Sequence, residues 1–429
     1  MIEAIKVTLY GHTLGYLAAH KGQYIFKYDQ DFQALGIEPS PIKMPVSPAT
    51  FSFSELRATS FEGLPGLIRD SIPDHYGTQV IKKYFSSIGV DPETITPLDK
   101  LAYIGKRGFG ALTYTPAEEL AQYPAQTELD LFTLWNESRK VLYDEISSKD
   151  ISWVYSFGGS AGGARAKAAI LFDPQSGAFS IDEKQAVKDR YSHWLLKFDG
   201  LSKDDNGRPM PYERMEYIYS LLARDAGIEM PETDYVEEPN GMFHFLTRRF
   251  DRRIDQKSGQ VEKQHIQTIS ALLHHDHDDQ QSLDYTDVLT TIKMITGSAS
   301  ETLEGFRRMV FNILSHNHDD HSKNFSLSMN TRGIWSLAPA YDLVYTNEKG
   351  WFVNGHQITI NQKSKAITKQ DVLYVAERAD ISFKKALKVI DQVQTALKGW
   401  ESYAEQFGLL DRFPDYVTQV RAGLNKVSL

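Results

Sequence analysis

The sequence predicts an α+β protein with strands concentrated early and helices dominating the end of the chain. Three observations predict it. Ile5, Val7 and Leu9 alternate with Lys6 and Thr8, the period-two pattern of a half-buried strand. Four glycines between positions 158 and 163 separate two apolar, strand-like runs. Beyond Asp342, Leu387, Ile390, Val393, Leu397 and Trp400 recur three and four apart, the stripe of a packed helix.

Taken in order, Tyr24, Phe26 and Tyr28 repeat the early alternation, and Gly11 and Gly22 punctuate a meander. From Leu64-Pro65-Gly66 the pattern turns helical through Leu67, Ile68 and Ile72. It resumes with Val80, Ile81, Tyr84 and Phe85 after a break at His75-Tyr76-Gly77. Asp74 and His75 read as a helix start at the surface. Gly105-Lys106-Arg107-Gly108-Phe109-Gly110-Ala111 lacks the G-x-x-x-x-G-K-[ST] spacing and precedes a strand-like Leu112-Thr113-Tyr114, so it reads as a turn. The polar stretch from Pro116 to Glu128 reads as a linker.

Ile151 to Phe157 is strand-like and runs into Gly158-Gly159-Ser160-Ala161-Gly162-Gly163-Ala164-Arg165-Ala166-Lys167; Ala168 to Phe172 follows as another strand. Backbone N–H groups of such a hairpin can approach an anion because few Cβ atoms intervene. His193-Trp194-Leu195-Leu196-Lys197-Phe198 is a hydrophobic strand with one lysine near its end. Glu213 to Gly227 is helical along Met215, Ile218, Leu221, Leu222 and Ala226, with Glu216 at the stripe's border, able to face a lysine. Phe243 to Asp251 is a strand entering a charged crossing. His274-His275-Asp276-His277-Asp278-Asp279 reads as a solvated loop, without a helix or strand to fix ligand geometry. Leu303, Phe306, Met309, Val310, Ile313 and Leu314 mark a helix that delivers the polar loop His316-Asn317-His318-Asp319-Asp320-His321-Ser322-Lys323-Asn324.

Composition narrows the function classes. The 429 residues carry 47 Lys and Arg against 56 Asp and Glu, a formal charge of −9, which argues against a broad basic surface for nucleic acid. There is no cysteine, which removes disulfides, thiolate metal sites and cysteine nucleophiles. The N-terminus lacks the basic-then-apolar pattern of a signal peptide, and no apolar run approaches the roughly 20 residues of a membrane span. The expectation is a soluble cytoplasmic protein.

Two chemistries fit the polar loop. His316-x-His318-x-Asp320-His321 matches the H-x-H-x-D-H string of metallo-β-lactamase-type hydrolases, which holds zinc or iron beside an activated water. That string normally sits early in its domain with further ligands after it; here it lies late, and His356 is the one additional imidazole downstream. Phosphoryl transfer uses different residues. Asp319 and Asn324 have the D-x-x-x-x-N spacing of a protein-kinase catalytic loop, and Asp342 follows across a strand–turn–strand as a second acidic metal ligand. The upstream order of glycine-rich hairpin, strand lysine Lys197 and helix glutamate Glu216 is also that of kinases.

At this point the chain resembles the HipA-type serine/threonine kinases, toxins of bacterial type II toxin–antitoxin pairs. The resemblance runs through Gly162-Gly163-Ala164-Arg165-Ala166-Lys167, His193 to Phe198, Ala226-Gly227-Ile228 and Thr247-Arg248-Arg249-Phe250-Asp251. It is strongest at Asn317 to Ser326 and at Pro339-Ala340-Tyr341-Asp342-Leu343. It implies a bilobal protein-kinase-like fold with an extra N-terminal mixed α/β subdomain (1–117), a small lobe (118–250) and a mainly helical large lobe (251–429).

The resemblance further implies ATP and Mg²⁺ as cofactors and a protein serine or threonine as acceptor. Asp319 would be the catalytic base, with Asn324 and Asp342 holding Mg²⁺. Gly162 to Lys167 would form the phosphate loop. Lys197, oriented by Glu216, would contact phosphates. Arg249 and Phe250 would lie at the adenine hinge, Tyr341 beside the nucleotide, and His321 and Lys323 in support of the loop. Ser160 matches the family's autophosphorylated position, where added negative charge would repel ATP phosphates and switch the enzyme off. A helix-turn-helix antitoxin, HipB-like, is the implied partner, DNA being reached only through it, and an aminoacyl-tRNA synthetase is the implied substrate class. No D-F-G, A-P-E or H-R-D string is present. A kinase fold kept as a corepressor scaffold is the remaining alternative.

Overall fold

Strands β1 (Ala4–Leu9), β2 (His12–His20) and β3 (Gln23–Tyr28) form the expected meander, with Ile5, Val7, Leu9, Phe26 and Tyr28 turned into the core. Both hairpins turn on two residues with positive φ, Tyr10-Gly11 and Lys21-Gly22, the mirror-image turn whose twist matches paired strands. A short β4 (Thr50–Phe51) and β5 (Leu112–Thr115) complete an antiparallel sheet in the order β4-β3-β2-β1-β5. The computed structural model describes residues 2–118, 131–143, 165–181, 191–201, 209–254, 260–346, 350–426 and 429.

Between β4 and β5 lie helices α1 (His75–Ser87) and α2 (Pro97–Ile104). α2 starts on a capping box between Thr96 and Asp99 with Pro97 in its first turn, which satisfies backbone N–H groups that a helix start otherwise leaves unbonded. The helix expected from Leu64 is only a single turn, Gly66–Arg69, because Pro65 sits at its start and Pro73 follows closely. Gly66 is required there: a Cβ would lie 2.1 Å from the Ala271 carbonyl oxygen. Gly105 to Ala111 is the expected turn leading into β5.

The second sheet runs β7-β6-β8-β10-β9, every pairing antiparallel. Its strands are β6 (Lys167–Asp173), β7 (Ala178–Ser180), β8 (Ser192–Lys197), β9 (Thr233–Glu237) and β10 (Phe243–Arg248). Helix α3 (Tyr212–Asp225) packs on it through Met215, Ile218 and Leu222, with Leu221 half-buried.

After a two-stranded ribbon, β11 (Arg252–Ile254) with β12 (Val261–Lys263), comes a three-stranded sheet of β13 (His265–Thr268), β14 (Ser326–Met329) and β15 (Trp335–Leu337). It forms the seam with the first sheet. Tyr10 Oη accepts from the His265 amide at 2.9 Å and donates to the Met329 carbonyl, while Asp70 accepts from the Thr268 amide (2.7 Å) and hydroxyl (2.9 Å). Helices α4 (Tyr285–Thr296), α5 (Ala299–Leu314), α6 (Lys369–Arg378) and α7 (Phe383–Leu397) make the rest mainly helical, with Ile390, Val393 and Trp400 buried. No helix among the described residues is long and apolar enough to cross a membrane.

Candidate active site

The site lies in a cavity of about 1190 Å³ bounded by β6, β8, α3, the loop after α5, the segment after β15 and the start of α1. Lys197 ends β8 and stands opposite Phe245 on one side and Lys167 on the other. Its Nζ is 2.6 Å from Glu216 Oε1 and also contacts Asp342 Oδ1. Burial works to strip the Lys197 proton, but Asp342 and Glu216 more than offset it and hold the ammonium charged. Burial likewise favours neutral Asp342, yet Lys197 and Lys167 keep it ionised well below the usual carboxylate range. Asp342 adopts φ 58°, a left-handed conformation that Asp tolerates better than most residues.

Helix α5 delivers the polar loop. Asn312, near its end, donates to Tyr285 Oη at 3.0 Å, and Tyr285 donates to Asp320 Oδ2 at 2.9 Å. Asp320 also accepts from His356 Nδ1 (2.8 Å) and the Gln357 amide (2.8 Å), so this buried carboxylate has three donors within the protein. That chain fixes the neighbouring Asp319, which reaches the cavity and accepts from Gln357 Nε2 at 3.0 Å; His321 Nε2 is 3.6 Å away. Asn324 donates its amide N–H to the Asp319 carbonyl at 2.6 Å, which leaves its side-chain oxygen for another ligand. Tyr341 Oη donates to the Lys323 carbonyl at 2.6 Å, and its ring stacks on Phe250 with centroids 5.9 Å apart. Lys323 reaches Asp74, the residue just before α1.

The donor set fits a magnesium nucleotide: an ionised Asp342 and the Asn324 oxygen for a hard cation, with Lys197 and Lys167 for phosphate. Lys167 is buried, and burial together with the Lys197 charge pushes it down to about 8.

Several expectations change. The Arg249 guanidinium, implied for the nucleotide, is instead bidentate to Asp251 (3.0 and 2.8 Å) and lies 4.0 Å over the Phe109 ring. It therefore shapes the cavity wall and offers no free cation. Asp251 also binds Arg252 and accepts from the Gly110 amide at 2.8 Å, which docks the Gly105–Ala111 turn. The metal string divides. His316 Nδ1 bonds the Thr346 carbonyl (3.0 Å), and the His318 ring lies tilted against His316 and edge-on to His356, with centroids 4.1 and 4.6 Å apart. Burial and the flanking imidazoles push His318 far below its ordinary value. With Asp320 saturated, this is a brace beneath the loop.

The 274–279 stretch is solvated only at Asp278 and Asp279; its first half is held by the protein. His274 Nε2 accepts from the Gly66 amide (3.0 Å), His275 bonds Ser322 Oγ (2.9 Å), and Asp276 bonds Ser60 Oγ (2.5 Å) and pairs with Arg57 (3.2 Å). Asp276, His277 and Asp278 do bring potential ligand atoms within 4.8 Å of one another, whereas His274, His275, His316 and His318 join no such group among the described residues. Gln357 and the Asp74 contact were missed by the sequence reading; Gln357 carries no local signal at all.

Comparison with known proteins decides the family. Residues 5–115 match the model of the HipA N-terminal domain, and residues 159–400, more than half the chain, match the HipA-like C-terminal domain. The chain belongs to the HipA family. HipA of Shewanella oneidensis MR-1, solved with HipB and its operator DNA, superposes with a TM-score of 0.67 at 16% identity, covering 98% of this chain and 95% of that one. The bilobal HipA fold with its helical C-terminal region is therefore the fold found here. Y4dM of Sinorhizobium fredii is 24% identical over 238 residues, 52% of this chain and 55% of its own length. A Haemophilus influenzae protein is 28% identical over 165 residues, 34% of this chain and 47% of its own. The chain thus spans about half the length of these two relatives, both of which have kinase in their names. Of the phosphate loop implied for the family, Arg165 and Lys167 border the cavity and Ala166 is buried between them in sequence; Ser160, Gly162, Gly163 and Ala164 lie outside the described residues.

Proposed function

We propose that the chain is an ATP- and Mg²⁺-dependent serine/threonine protein kinase. We further propose that it acts in the cytoplasm as the toxin of a pair with a HipB-like helix-turn-helix antitoxin. One observation carries the reading: Lys197 is gripped by Glu216 and Asp342 on the wall of the cavity that also presents Asp319 and Asn324. A hydrolase needs no such strand lysine bridging two carboxylates; phosphoryl transfer does.

When bound, ATP with Mg²⁺ supplies the transferable phosphoryl group and neutralises charge on it. Asp319 accepts the acceptor hydroxyl's proton as that oxygen bonds to phosphorus and the bond to the leaving diphosphate breaks. Gln357, bonded to the same carboxylate, keeps it aimed. Lys197 and Lys167 would steady the phosphates, and Asn324 and Asp342 would hold the cation. Phe250, stacked on Tyr341, offers an apolar surface for the base. Autophosphorylation at Ser160, an aminoacyl-tRNA synthetase as substrate, and DNA contact solely through the antitoxin belong to the same proposal. They rest on family resemblance and, for the partner, on the company kept by the Shewanella protein.

Incubation of cell extract with γ-labelled ATP, Mg²⁺ and the purified chain tests it, with Asp342→Ala as control. Label on a protein in the wild-type reaction alone is the expected result. Absence of label, with zinc or iron copurifying, would return the hydrolase reading.

A further inference from the structure

The first domain reaches the catalytic loop at a point that the kinase pattern does not supply. Asp74 immediately precedes α1, yet its side chain caps no amide of that helix. Its carboxylate instead contacts Lys323 Nζ and lies 3.8 Å from Arg69 Nη2. Arg69 is buried and fixed from behind, donating to the carbonyls of Ser60 (2.8 Å) and Ile72 (2.7 Å). Lys323 is fixed at its backbone by Tyr341. Asp74, Lys323, Asp319, Asn324 and Asp342 all border the one cavity. Burial opposes the Asp74 charge, and Lys323 and Arg69, with His277 also facing it, hold the carboxylate ionised.

A lysine ammonium has three donors on a stem of four rotatable carbons, and ordering that stem costs rotamer freedom. One donor held by Asp74 leaves the others for phosphate oxygens arriving beside Asp319.

We infer that Asp74 is a positioning residue for the transfer step: it pre-orders the Lys323 ammonium for the terminal phosphate of a nucleoside triphosphate, so the first domain completes the catalytic centre. This rests on the phosphoryl-transfer reading.

The test uses the full chain and compares wild type with Asp74→Asn, Asp74→Glu, Lys323→Gln and the Asp74→Asn/Lys323→Gln double variant. It measures kcat and KM for labelled transfer, binding of a fluorescent ATP analogue, and thermal melting. Asp74→Asn is expected to lower kcat by about 10- to 100-fold, the scale of a misplaced catalytic group. Nucleotide affinity should stay within about twofold, because the base and the other cations are untouched. Asp74→Glu, which keeps the charge on a longer arm, should fall between Asp74→Asn and wild type. The double variant should be no slower than Lys323→Gln alone, since Asp74 acts through that lysine. A wild-type kcat in Asp74→Asn, or a double variant slowed by the product of the two single effects, overturns the inference. If Asp74→Asn does not fold, Asp74→Glu decides: kcat below wild type supports the inference and kcat equal to it overturns it. A wild-type chain that transfers no phosphate overturns the proposed function as well, which separates the two failures.

Discussion

Replacing Lys197 by methionine removes the ammonium that contacts both Glu216 and Asp342. The lysine and Glu216 side chains are 5% and 4% exposed, so water cannot replace the lost partner; Asp342, at 38%, regains part of its hydration. Breaking a buried ion pair by deleting one member costs about 3–5 kcal/mol, because an uncompensated charge remains inside. Glu216 can escape that cost by taking up a proton, since burial already raises its pKa and Lys197 is the main group opposing that rise. In the variant its folded pKa therefore lies further above the unfolded value. A group with a raised folded pKa favours the folded state at low pH and loses that contribution as pH rises through the folded pKa. The deficit relative to wild type should accordingly be small near pH 5 and grow towards pH 8, read by urea denaturation at each pH. Labelled transfer should be lost across the whole range. A deficit that does not vary with pH, or a stable variant that still transfers phosphate, would refute the reasoning.

Asp319→Ala should abolish phosphate transfer while leaving binding of a fluorescent ATP analogue within about threefold, as expected of a base that does not hold nucleotide; retained transfer would remove Asp319 from the mechanism. Lys167, pushed down to about 8 by burial, should lose its charge between pH 7 and 9, so nucleotide affinity should weaken over that interval and flatten in Lys167→Met. Affinity measured at fixed ionic strength checks this. Asp251→Ala leaves Arg249 and Arg252 buried without their carboxylate and should destabilise the chain by about 3–5 kcal/mol, with protease cutting accelerated around Gly105 to Ala111. An unchanged urea midpoint would show that the docked turn contributes little.

Residues whose partners are fixed by local spacing or by order along the chain were legible in advance. Asp319 and Asn324 lie five positions apart in one loop, and Lys197 with Glu216 lies only 19 residues apart on a strand and the next helix. The early strands were legible because side chains alternate between core and water. The braces were not. Lys323 meets Asp74 across 249 residues and Asp319 meets Gln357 across 38, and no periodicity relates such positions. Histidines misled in both directions. In sequence, His316, His318 and His321 look like one ligand set, but the backbone sends the first two under the loop and the third beside Asp319. Arg249 sits where the family motif places the hinge, and only the docked turn with Asp251 and Phe109 shows where its guanidinium goes.

The facing register of Lys167 and Lys197 has a consequence for how the chain tolerates changes in length. β6 and β8 pair directly from Lys167 opposite Lys197 to Phe172 opposite Ser192, so a change in the length of chain joining them leaves the two ammonium groups opposed. A single residue added inside β6 is different. Between Lys167 and Ile170 it would either turn Lys167 to the opposite face of the sheet or, with Lys167 held in place, shift Ile170 away from Trp194. Strand pairing thus works as a gauge for the spacing of the two cavity-lining ammonium groups, and natural length variation should collect in the connection while β6 itself keeps its count.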